Sequence, residues 1–141
     1  MTALTDGAPL AGNARLPMLG LLRVLLLTEA ATGLALAVFL SLVADAVGDR
    51  SGVADETNLR FAAGGAFLFA LFAAIASRGA RRRRGWAWTM AAILQVLLAV
   101  GTGVAIMVAE WHPAYLIGFG LASAVMLVLS VASVRRALGQ A

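Results

Sequence analysis

Four apolar stretches separated by short polar ones run along the chain. Met18 to Val43 is apolar except for Arg23 and Glu29, and Phe61 to Ser77 lies between Arg60 and Arg78. Trp86 to Ala109 and Ala114 to Val134 follow. A bilayer core about 30 Å thick takes roughly 20 helical residues at 1.5 Å each, and the stretches are near that length. None alternates with the period of a membrane strand, and each is too long for one. The pattern predicts an all-α fold, an integral membrane four-helix bundle with spans at about 18–43, 61–77, 86–109 and 114–134. The second span is short, so Arg60 and Arg78 at its ends are expected to snorkel toward the headgroups.

The connections carry their own signals. Residues 1–17 include Gly7, Pro9, Gly12 and Asn13 and show little periodicity, which reads as a mobile cytoplasmic tail. Asp45 to Arg60 is polar with Gly48 and Gly52 as breakers, and Asp55 is placed to cap the second helix. Glu110 to Ala114 predicts a tight hairpin with Pro113 in the first turn of the fourth helix, making helices 3 and 4 antiparallel neighbours. Trp86 and Trp88 fall at one boundary, Trp111 and Tyr115 at the other, as in an aromatic belt. Ala35-Leu36-Ala37 resembles a signal-peptide cleavage site behind Arg15. The apolar run continues past it to Val43, so this stretch reads as a span.

Composition narrows the class. At 62% hydrophobic and 13% charged residues, the chain has too few polar side chains to cover a soluble fold and too little charge for disorder. With no cysteine and one histidine, it lacks a disulfide, a thiolate nucleophile and a multi-histidine metal or haem site. No metal and no cofactor are expected. All eleven basic residues are arginine. Arg15, Arg23, Arg78, Arg81, Arg82, Arg83, Arg84, Arg135 and Arg136 fall on one side of the predicted bundle. Arg50 and Arg60 fall on the other, among Asp45, Asp49, Asp55, Glu56 and Glu110. The positive-inside rule then places both termini and the basic loop in the cytoplasm. The alanine-rich, lysine-free composition suggests a high-GC bacterial genome and hence the inner membrane.

Small residues four apart mark candidate seams, because helices in lipid associate by close packing and interhelical hydrogen bonds. These are Ala62, Ala66, Ala70 and Ala74 on helix 2, Ala87, Ala91, Gln95, Ala99 and Gly103 on helix 3, and Ala114, Gly118 and Ala122 on helix 4. Helix 1 offers Glu29, Gly33, Ala37 and Ser41. Glu29 is the one carboxylate well inside a span, about 12 Å from the cytoplasmic edge, and Gln95 lies about 14 Å from the same edge. The two can share a layer, with Thr28, Thr32 and Ser130 nearby. An ionised carboxylate at that depth costs a few kcal/mol even on lenient scales, so Glu29 should be neutral, paired or facing a wet cavity. Two roles follow: an interhelical clamp with Gln95 or an arginine from the basic loop as partner, or a proton carrier with Thr32 and Gln95 lining its path.

Thr28-Glu29-Ala30-Ala31-Thr32-Gly33 resembles the first-helix motif of the small multidrug exporters, which work as dimers around that carboxylate. The resemblance implies a small oligomeric proton-coupled transporter. The chain departs from that pattern in its basic internal loop, its long acidic external loop and the lack of a glycine-rich dimerisation motif in helix 4.

Arg78, Arg81, Arg82, Arg83 and Arg84 form the densest charge, suited to anionic headgroups at about 1 kcal/mol per charge. So short a loop offers no element to read a nucleic-acid groove. His112 with Glu110 gives too few metal ligands, and Asp45, Asp49, Asp55 and Glu56 lack calcium-loop spacing. No His-Glu-x-x-His, Gly-x-Ser-x-Gly, P-loop or dinucleotide fingerprint occurs, and the sole histidine is far from the helix 4 serines. The expectation is a non-enzymatic membrane component, an accessory or scaffold protein that packs with itself or with a larger complex.

Overall fold

The computed structural model describes residues 15–48, 53–108 and 114–140. Helices α1 (Arg15–Gly48), α2 (Val53–Arg81), α3 (Gly85–Val108), α4 (Ala114–Ser130) and the short α5 (Ala132–Ala137) follow one another, with no strand among the described residues. α1 packs mainly on α2, α2 on α3, α3 on α4 and α4 back on α1, with α5 against α1 and α4. The result is an all-α helical bundle. Three helices, through Pro17–Ala46, Glu56–Arg81 and Gly85–Val104, are long and apolar enough to cross a membrane. α4 is apolar but has only 17 residues, about 26 Å at 1.5 Å per residue.

Alanines line the interior on α2 and the start of α3, leucines and valines of α1, α4 and α5 fill the rest of it, and many large apolar side chains also face outward. Ala63, Ala70, Ala73, Ala76 and Ala80 of α2 and Ala87 and Ala91 of α3 are buried, whereas Val38, Phe39, Leu42, Phe61, Leu97, Ile117 and Leu127 are exposed. A water-soluble bundle rarely leaves so many large apolar groups on its outside, because removing them from water is its main driving force. Small residues inside let backbones approach closely. At Gly33 an added Cβ would lie 3.2 Å from Ala70 Cβ and 3.3 Å from the Ala66 carbonyl oxygen. At Gly79 it would lie 2.7 Å from the Trp86 ring, so α2 and α3 meet there only because that position has no side chain.

Several boundaries differ from those predicted. The helix expected at 18 begins at Arg15; Pro17 fits because the first-turn N–H groups have no intrahelical acceptor. Asp45–Arg60, read as a long polar loop, is mostly helix, leaving only 49–52 between α1 and α2 outside the described residues. Asp55 is the third residue of α2 rather than its cap. The alanine ladder of helix 2 is also corrected. Ala62 and Ala74 are exposed, and the buried face runs through Ala63, Ala70, Ala73, Ala76 and Ala80. A strict spacing of four drifts around a helix of 3.6 residues per turn, so a ladder of alanines leaves the seam.

The fourth helix, expected unbroken to Val134, ends at Ser130. Val131 is extended (φ −65°, ψ 125°) before α5. Neither glycine nor proline marks the break. The Trp88 indole N–H donates to the Leu129 carbonyl at 3.2 Å, supplying a partner at a helix end whose last carbonyls have none within the helix. Val134 and Leu138 then bury against the core. The same bond joins the start of α3 to the end of α4, so the two helices are antiparallel neighbours.

α2 closes on an arginine in the left-handed region, Arg83 at φ 51°. Arg84 N donates to Gly79 O at 3.1 Å and Arg83 N to Ala80 O at 3.0 Å, the bonding pattern of a Schellman cap. α5 ends in the same way around Gly139, at φ 74°.

Candidate functional site: a buried carboxyl–carboxamide pair

Leu22, Leu26, Glu29, Gly33, Ala37 and Ala44 are the buried residues in the middle of α1. Their spacing of three, four or seven keeps them on one helix face. Ala87, Ala91, Leu94, Gln95 and Thr102 do the same on α3. These faces bring together the strongest polar groups of the two helices. Gln95 Nε2 donates to Glu29 Oε2 at 2.9 Å, with Glu29 3% and Gln95 1% exposed. The bond spans the bundle between two helices that each pack mainly on other neighbours.

Hydrogen-bond accounting around the pair is incomplete. Glu29 Oε1 and Gln95 Oε1 are both buried with no partner, as is Arg23 Nε. The two oxygens are acceptors left facing a shortage of donors. A protonated carboxyl brings one O–H, and Gln95 Oε1 is an acceptor for it; that combination satisfies both residues from within the pair. An acid–amide pair of this kind needs no counter-charge. Two surface hollows lie away from it, one between Leu34–Asp45 and Arg60–Phe67, the other beside α5.

The remaining predicted polar residues do not join. Thr32 is exposed on the outer face of α1 and lines no path to the pair. Thr28 returns its hydroxyl to Val24 O at 2.9 Å, and Ser130 to Met126 O at 2.8 Å. Both bonds are local and hold the hydroxyls on their own helices. Arg78, Arg81, Arg82, Arg83 and Arg84 are all exposed. At the other end Arg60 bonds Glu56 at 2.7 Å and Asp45 at 3.3 Å. The Asp45–Arg60 pair joins α1 to α2 because both helices extend through the stretch that reads as a polar loop in the sequence. Trp86 is 44% exposed and Trp88 partly buried. Glu110, Trp111, His112 and Pro113 lie outside the described residues, as does the side chain of Tyr115.

Family models, curated proteins and solved structures yield no match to this chain. The likeness to small multidrug exporters therefore stays confined to the string Thr28–Gly33.

Proposed function

We propose that this chain is a small multi-pass protein of the bacterial inner membrane and a non-catalytic accessory or scaffold component. It crosses the bilayer four times, with both termini and the arginine-rich turn in the cytoplasm. The exposed apolar side chains support the insertion, and the segregation of nine arginines to one end supports the orientation. Gly64, Gly65 and Gly120 lie on the outside with open space around them. Such flat positions let a second copy or a larger membrane complex approach a helix backbone closely. The arginine end faces the anionic headgroups of its leaflet.

The observation that carries the non-catalytic reading is the enclosure of Glu29. It is 3% exposed, and its partner is a neutral carboxamide on another helix. That arrangement suits a clamp that fixes α1 against α3. A proton carrier must exchange with water on each side in turn. Glu29→Gln separates the two, since glutamine can both donate to and accept from Gln95. Cells making wild-type protein or Glu29→Gln should clear a lipophilic cation such as ethidium at the same rate. Native mass spectrometry should find the same assembly for both. Efflux present in wild type and lost in Glu29→Gln, with assembly unchanged, would establish the transporter instead.

A further inference from the structure

We infer that the hollow beside α5 binds one anionic phospholipid, a site that rests on the membrane reading above. The break at Val131 turns α5 back under the bundle, where Val134 and Leu138 are buried. The Leu138 carbonyl oxygen lies 3.1 Å, and Gln140 Nε2 3.8 Å, from where a Cβ on Gly85 would stand. Gly85 directly follows the arginine run. Two arginine groups distant in sequence, 78–84 and 135–136, thus meet at one end of the molecule. All seven arginines are exposed. Among the described residues none of them has a carboxylate partner; the ion pairs made there belong to Arg60, at the far end.

Ala132, Arg135, Arg136 and Gln140 line the hollow, and its wall is almost wholly carbon. Arg136 Nε donates to the Ala132 carbonyl at 3.2 Å, which fixes the side-chain stem and leaves the terminal NH2 groups for a ligand. Leu127 and Val131 are exposed on the adjoining stretch of chain. A recess walled by the carbon stems of two exposed arginines, with an apolar helix leading away, matches an amphiphile better than a free anion. The glycerol-ester region occupies the recess, the phosphate takes the guanidiniums, and the acyl chains lie along α4. Arginine suits this role because its planar fork offers paired donors to phosphate oxygens.

The full chain is incorporated into nanodiscs of equal phosphatidylglycerol and phosphatidylethanolamine, then released for native mass spectrometry. Wild type should retain one phosphatidylglycerol. Arg135→Gln/Arg136→Gln should weaken that retention about 30-fold, as expected for two direct guanidinium–phosphate contacts at about 1 kcal/mol each. Arg81→Gln/Arg82→Gln removes equal charge outside the hollow, where water and salt screen it from the bound phosphate, and should change retention less than about threefold. Circular dichroism checks that each variant is folded. Equal losses in both double variants would reduce the effect to diffuse charge and overturn the site. Retention of phosphatidylethanolamine to the same extent, or displacement of the lipid by inorganic phosphate, would do so too. Failure to enter the nanodisc at all would overturn the membrane reading itself, and with it this site.

Discussion

A buried hydrogen bond joins Glu29 and Gln95 across the bundle, and its worth depends on what surrounds it. In lipid such bonds contribute about 1–2 kcal/mol at most. Losing one partner costs more, because the other is left buried and unpaired. Gln95→Leu should therefore lower unfolding stability in detergent by about 1–3 kcal/mol, whereas Glu29→Gln should stay within about 1 kcal/mol of wild type. Adding Glu29→Leu to Gln95→Leu should recover much of the loss, since two apolar groups leave no orphan. A double-mutant cycle followed by denaturant titration measures that coupling; simple additivity would mean that the two side chains do not act together. The pair was legible in the sequence because each residue is the strongest polar group of its span and their depths agree. The exposure of Thr32 was not, because a threonine can face either lipid or the core by bonding its own helix, as Thr28 does with Val24.

Elements were legible to different degrees. Long apolar runs gave the helices reliably, since length and hydropathy leave little choice in a bilayer. Their ends were less legible, as polar residues such as Asp45, Asp55 and Arg60 read as loop when helices can extend beyond a membrane core. The face of α2 was misplaced because alanine is so frequent there that a ladder arises by chance. The break at Val131 left no local signal at all; its cause is tertiary, the Trp88 indole at the Leu129 carbonyl and the burial of Val134 and Leu138. Trp88→Phe keeps an aromatic ring but removes the donor and part of the indole's volume, so it should cost about 0.5–1.5 kcal/mol for the hydrogen bond, with lost packing on top. Amide hydrogen exchange should quicken at 130–138 while α1 stays protected. Unchanged exchange there would assign the break to packing alone.

At the scale of the whole molecule, three long apolar helices, large apolar residues on the outside and arginines gathered at one end are what the membrane proposal rests on. The same end gathers the α2–α3 turn and α5, which were separate features along the chain. Nothing in either segment announced their meeting, which depends on Leu138 folding back onto Gly85. The chain contains no cysteine, so single cysteines can report position without background. Cysteines placed at Asn58, Leu97 and Arg82, all exposed on the isolated chain, are probed in intact cells with a membrane-impermeant maleimide. The account predicts that position 58 is labelled in intact cells, position 82 only after permeabilisation, and position 97 in neither state. Labelling of position 82 from outside, or free reaction of position 97 with the aqueous reagent, would contradict it.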